Sequence, residues 1–101
     1  MTLNNEIYRK VRQIIFYKYA YPIEQIQPEV RFQIDLAVDS FEMFELINQF
    51  EQEFNIVIDK DDIDNFIFQP QDINYINDIK ILTIQDVVHY IEKQIQTRNG
   101  E

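Results

Sequence analysis

From Leu3 to about Tyr19 the apolar residues Leu3, Ile7, Val11, Ile14 and Ile15 recur at helical spacing. The pattern predicts an amphipathic helix with Thr2 or Asn4 as its N-cap. Arg9, Lys10, Arg12 and Lys18 make that helix locally basic. The periodicity then fades from Ala20 to Val38, where Pro22 and Pro28 each disfavour helix in the residue before them. Ile23, Ile26, Val30, Phe32, Ile34 and Leu36 keep this stretch apolar, so it reads as a long loop tied down on the core. A second stripe follows in Met43, Leu46, Ile47, Phe50 and Phe54, with Phe44 beside it. Asp39 and Glu42 have capping-box spacing, which places Asp39 at the N-cap and Ser40 in the first turn. Glu42, Glu45 and Gln49 fall off the stripe, toward solvent. Asn55 to Asp62 alternates too briefly to define a strand. Ile63, Phe66, Ile67 and Phe68 suit a short helix before Pro70, and Ile73, Tyr75, Ile76, Ile79 and Ile81 suit a second irregular piece. Thr83 and Asp86 stand in near capping-box relation ahead of a last stripe: Ile84, Val87, Val88, Ile91 and Ile95.

The expected fold is therefore all-α: a small bundle of three long helices plus a short irregular helical region, in one domain over residues 1–101. Gly100 is the single glycine, so turns are expected from Asn, Asp and Pro. Tyr8, Tyr17, Tyr19 and Tyr21 are expected at the edge of the core. Hydrophobic residues make up 46% of the chain, more than a disordered acidic tail would carry. Without cysteine there is no disulfide framework and no thiolate chemistry. No apolar run is long enough for a bilayer and no signal-peptide segment opens the chain, so a cytoplasmic location is expected, without membrane insertion.

Charge changes this picture most. The net charge is −9, and it is concentrated in one stretch. Between Asp35 and Asp64 there are ten acids against one base, Lys60; the rest of the chain holds eight of each. Such a stretch repels nucleic acid and anionic membranes and attracts basic protein patches. A solvated acidic face and a partner surface both fit, and the concentration leans toward the partner surface.

Candidate chemistry is sparse. Ser40 is the one serine, and His89 the one histidine. No serine–histidine–acid constellation follows from these two alone, and an independent hydrolase is disfavoured. Asp59 to Phe66 superficially suits a calcium loop, but Ile63 occupies a ligand position, Asp64 the glycine position, and Pro70 the place of the bidentate Glu. His89 has no second metal-type cluster around it and is expected to be structural or at the surface.

The stretch "DLAVDSFEMFELINQFEQEF", Asp35 to Phe54, resembles the acyl carrier proteins, whose pattern reads D-L-G-x-D-S-L, an acid, two variable positions and E-L. "LTIQDVVHYI", Leu82 to Ile91, resembles the last helix of that family, and the likeness covers about two thirds of the chain. The resemblance implies that Ser40 receives 4′-phosphopantetheine from coenzyme A, attached by a phosphopantetheinyl transferase that brings its own base and metal. Asp39 would cap the helix and fix the direction of the hydroxyl. The thiol of the arm would carry acyl or aminoacyl groups as thioesters, so the chain would be a carrier and not an enzyme. Glu42, Glu45, Glu51 and Glu53 match positions where the family meets partners with basic patches. Besides the transferase, these partners would be an acyl- or aminoacyl-adenylating ligase, a synthase or an acyltransferase. A monomer without nucleic-acid partners is expected. The alternative is an unmodified acidic interaction domain that keeps the carrier fold.

Three departures stand out. Ala37 takes the place of the family's Gly, and Ala does not reach positive φ freely, so the loop before Ser40 is expected to differ in shape. Phe41 and Phe44 replace Leu and a smaller apolar residue; a pocket-lining or partner role is open to them, and plain packing is expected. The segment Asn65 to Lys80 makes the chain about a dozen residues longer than typical fatty-acid carriers. It is expected to pack between the second and last helices, and it suggests a dedicated rather than a housekeeping carrier.

Overall fold

The computed structural model describes residues 2–59, 61 and 82–100. Among the described residues three long helices form: α1 (Leu3–Tyr19), α2 (Ser40–Phe54) and α3 (Ile84–Gly100). A single 3-10 turn, Ile23–Gln25, lies in the α1–α2 connection, where the sequence predicted only loop. Among the described residues there is no strand, only one isolated bridge between Arg31 and Thr83. The short helix and irregular piece expected between Ile63 and Ile81, including the Asn65 to Lys80 segment, lie outside the described residues, as does most of Asp59 to Phe66. Among the described residues no helix is long and apolar enough to cross a membrane.

Each helix starts where a side chain can accept the first orphan N–H groups. Thr2 Oγ1 accepts from the Asn5 N–H at 3.1 Å, which selects Thr2 over Asn4 as the cap of α1. Asp39 caps α2 through a complete capping box. Thr83 and Asp86 bond reciprocally at α3: Thr83 Oγ1 accepts from the Asp86 N–H, and Asp86 Oδ2 accepts from the Thr83 N–H.

The predicted stripes form the core. Ile7, Val11, Ile14 and Ile15 of α1, Met43, Leu46, Ile47, Phe50 and Phe54 of α2, and Ile84, Val87, Val88 and Ile91 of α3 are all buried, with Leu3 and Ile95 half-buried against them. The long connection adds Ile26, Phe32, Leu36 and Val38 to this core, which explains why it stays apolar without helical period. Ile34 is the exception and faces solvent. Main-chain bonds fasten the connection to the start of α3: Phe32 N–H to Leu82 O, Ile84 N–H to Val30 O, and Gln85 N–H to Pro28 O, at 2.9–3.1 Å. Tyr8 reinforces it from α1, its hydroxyl donating to Ile26 O at 2.7 Å. Arg31 and Asp35 close the turn ahead of α2 with a two-pronged contact, and the Arg31 hydrogen bonds hold the Asp35 carboxyl below the usual carboxylate range.

With no glycine available, left-handed positions fall to other residues. Ala20 (φ 58°) ends α1, Asn55 (φ 54°) ends α2, and Ala37 (φ 54°) sits in the loop before Ser40. Asn was expected in such a place; the two alanines were not. Each accepts a conformation that costs an L-residue about 1–2 kcal/mol. Ala37, in the place of the family's glycine, takes a positive φ itself. At the far end of α2, Asn55 makes the αL cap, and the Arg98 guanidinium of α3 donates to the carbonyls of Phe54 and Asn55. A cation thus meets the negative end of the α2 dipole, which has no basic residue in its own last turn.

Candidate functional site

Ser40 is the first residue of α2. Its position is set by the capping box around it: the Glu42 N–H donates to Asp39 Oδ1 at 2.8 Å, and the Asp39 N–H donates to Glu42 Oε1 at 3.1 Å. The Met43 N–H adds a bond to the Asp39 carbonyl at 2.9 Å. Asp39 is exposed and Ser40 half-buried. Behind this turn, Val38 and Met43 are buried and anchor it from both sides.

Phe41 and Phe44 do not pack. Phe41 is 71% exposed and Phe44 47% exposed, which corrects the expectation of a core role for both. They flank Ser40 on the solvent side of α2, where apolar rings are useful only if something covers them. Tyr17, at 79% exposure, likewise leaves the core edge that was expected of it, whereas Tyr8, Tyr19 and Tyr21 remain there.

The four carboxylates expected on the docking face all lie on α2, each with a partner of its own. Glu42 completes the capping box and is half-buried. Glu51 Oε2 accepts from the Ile58 N–H at 2.8 Å and so ties down the extended segment after α2. Glu45 meets Lys18 at 3.4 Å, and Glu53 meets Lys10 at 3.8 Å. The two lysine pairs went unnoticed in the sequence, although a signal was there. Lys10 and Lys18 are eight residues apart, as are Glu45 and Glu53, and two antiparallel helices can match such spacings.

Tyr19 completes the surroundings. It ends α1, and its hydroxyl is buried with no hydrogen-bond partner among the described residues. Burial first, then the negative charges of Glu42, Glu45 and Asp39, push its pKa up to about 12. The ring therefore sits in the field of the first turns of α2. His89 is exposed, with its Nε2 at 2.8 Å from Gln85 Nε2, as expected of a surface histidine.

A hollow of about 170 Å³ lies between Leu3, Ile7, Lys10, Phe54 and Ile95. It belongs to the opposite end of α2 from Ser40, about 21 Å away along the helix axis. The start of α2 suits a phosphate-linked group better than that hollow does. A hydroxyl there stands at the positive end of a helix dipole, where a phosphodiester charge is favoured.

Comparison with known proteins agrees with this geometry. The family model described as a phosphopantetheine attachment site matches residues 9–66, a span that includes Ser40. The acyl carrier protein of Karelsulcia muelleri (strain GWSS) is 34% identical over 96 residues, covering 95% of this chain and 98% of the relative. That of Thermotoga maritima is 32% identical over 95 residues, covering 94% and 99%. That of Nitratidesulfovibrio vulgaris (strain DSM 19637 / Miyazaki F) is 34% identical over 85 residues, covering 84% and 92%. A capped serine at the head of an acidic helix, the three-helix bundle around it and these matches lead to one conclusion: the chain belongs to the acyl carrier protein family, a family of carriers rather than catalysts whose domain bears 4′-phosphopantetheine.

Proposed function

We propose that Ser40 is the residue that receives 4′-phosphopantetheine and that the thiol of the arm carries acyl or aminoacyl groups as thioesters between partner enzymes. The observation that carries this reading is the closed Asp39–Glu42 capping box, which fixes Ser40 as the opening residue of α2 within the matched span. In the transfer, Ser40 Oγ forms a bond to the phosphorus of the pantetheine arm while the phosphoanhydride of coenzyme A breaks. Adenosine 3′,5′-bisphosphate leaves, and the hydroxyl proton passes to a base of the transferase. Nothing in this step asks for a base on the carrier, which is consistent with His89 lying on α3 and bonding to Gln85.

Glu42, Glu45, Glu51 and Glu53 supply the negative face that a partner with basic patches would meet. Phe41 and Phe44 supply apolar surface within it. The partners that fit are a phosphopantetheinyl transferase and an adenylating ligase, synthase or acyltransferase. Intact-mass spectrometry after incubation with coenzyme A and a broad-specificity transferase tests the reading. One added phosphopantetheinyl group is expected, mapping to Ser40, and Ser40→Ala should take up none while keeping the helical circular-dichroism signal. No uptake with several active transferases, or uptake elsewhere, would favour the unmodified interaction domain instead.

A further inference from the structure

The loop that leads into Ser40 is tied around Arg31. The Asp35 carboxylate accepts three hydrogen bonds from this one residue. The Arg31 main-chain N–H at 2.9 Å and Nε at 3.0 Å donate to Oδ2, and Nη2 donates to Oδ1 at 2.9 Å. In return the Arg31 carbonyl accepts the N–H groups of Asp35 at 2.9 Å and Leu36 at 3.1 Å. The Phe32 carbonyl takes the Val38 N–H at 2.9 Å, and the Phe32 N–H donates to the Leu82 carbonyl at 3.1 Å. Arg31 and its neighbour thus hold the chain at Asp35, Leu36 and Val38, up to one residue short of the Asp39 cap.

Leu36 and Val38 are buried, and Ala37 between them is exposed and left-handed at φ 54°. An L-residue takes that conformation at a cost, and it persists where its surroundings over-determine it. Here the chain is held upstream by Arg31 and downstream by the capping box. The upstream hold lies at the surface: the Arg31 and Asp35 side chains are 42% and 37% exposed. Most pairs this exposed contribute little, but a two-pronged arginine–carboxylate contact is the geometry in which such a pair counts.

We propose that Arg31 is a positioning residue for the loading of Ser40: its fork on Asp35 holds the loop over residues 31–38, left-handed Ala37 included, in the shape that presents the Ser40 turn to the transferase. The inference rests on the reading of Ser40 as the attachment residue and deepens it. Without the fork the loop samples other shapes, and the transferase binds only the fraction in which the turn is correctly placed. Such a loss raises KM and leaves kcat alone, because a carrier once bound presents its serine as before.

The test pairs two substitutions of opposite charge. Arg31→Ala makes the carrier more negative and Asp35→Asn makes it less so. Attraction to a basic partner alone would therefore move their KM values in opposite directions. Loss of the fork should move them the same way. With coenzyme A and a broad-specificity transferase, KM for the carrier should rise about two- to fivefold in each variant at unchanged kcat. The combined variant should be no worse than the worse single one, since both open the same contact. Before any transferase is added, amide hydrogen exchange at Leu36 and Val38 should quicken by a similar factor in both. The amides of Val11 and Val88 should keep their wild-type rates, and the helical circular-dichroism signal should be retained. KM values that shift in opposite directions, additive effects, or wild-type exchange rates at Leu36 and Val38 would overturn the proposal. If the wild type took no arm at Ser40, the attachment reading would fail and this proposal with it; normal loading with unchanged KM in both variants would overturn this proposal alone.

Discussion

α2 and α3 open with the same cap chemistry and put it to different ends. Both begin with a reciprocal side-chain and backbone exchange, Asp39 with Glu42 and Thr83 with Asp86. At α3 the loop closes over the start: carbonyls of Val30 and Pro28 take the Ile84 and Gln85 N–H groups, and Leu82, Ile84 and Phe32 are buried. At α2 the turn faces outward, with Asp39 and Phe41 exposed and Ser40 half-buried. A cap covered by protein is a fastening. A cap left at the surface presents whatever side chain follows it in a fixed direction, and here that side chain is a serine.

Two phenylalanines give the sharpest test of this contrast. Phe32, fully buried under the start of α3, should cost about 3–5 kcal/mol when replaced by alanine, measured by urea denaturation. Phe41→Ala should change stability by less than about 0.5 kcal/mol. It should instead lower kcat/KM for phosphopantetheinyl transfer by about ten- to a hundredfold, because a partner that covers the ring gains on the order of 1.5–3 kcal/mol. Similar stability losses at the two positions would erase the distinction between the helix starts. Cap deletions should have smaller effects. Thr83→Ala and Asp39→Ala should each cost about 1 kcal/mol in thermal or chemical unfolding, and only the second should also slow loading of Ser40.

Smaller again is the effect of backbone relief. Ala37→Gly removes a left-handed alanine, and the gain is partly offset by the freer unfolded chain. A net stabilisation of about 0.5–1 kcal/mol is expected, and a destabilised variant would show that the loop holds Ala37 by contacts rather than against strain. The smallest effect concerns pH. Burial and the nearby carboxylates push the Tyr19 pKa up to about 12 in the folded chain, so its neutral form is favoured by folding. Its contribution is fully present below pH 10 and is lost as pH rises toward 12. Tyrosinate absorbance should show Tyr19 ionising near pH 12; ionisation in the ordinary tyrosine range would place the Tyr19 hydroxyl in water.

The sequence made the helices and their caps legible because both are local. Stripes such as Met43, Leu46, Ile47, Phe50 and Phe54 carry their own period, and Asp39 and Glu42 are three residues apart. The place of Ser40 at the head of α2 was legible through its neighbours Asp39 and Glu42. The features that escaped depend on distant segments. Whether Phe41 is covered depends on what lies opposite it, which no periodicity records. The Lys18–Glu45 and Lys10–Glu53 pairs span two helices, and Arg98 reaches the end of α2 from the far side of the chain. Ala20 and Ala37 escaped for another reason. Left-handed geometry is usually signalled by glycine, and here alanine carries it without a compositional trace.

The ties between the loop and the start of α3 have a consequence for how this stretch can evolve. The three bonds joining Phe32 to Leu82, Ile84 to Val30 and Gln85 to Pro28 use main-chain atoms alone. No exchange of one side chain for another deletes them directly. Only proline, by removing an N–H at position 32, 84 or 85, can do so. An exposed residue such as Glu29 can thus change identity while the junction keeps its shape, and this stretch can diverge further in sequence than in structure.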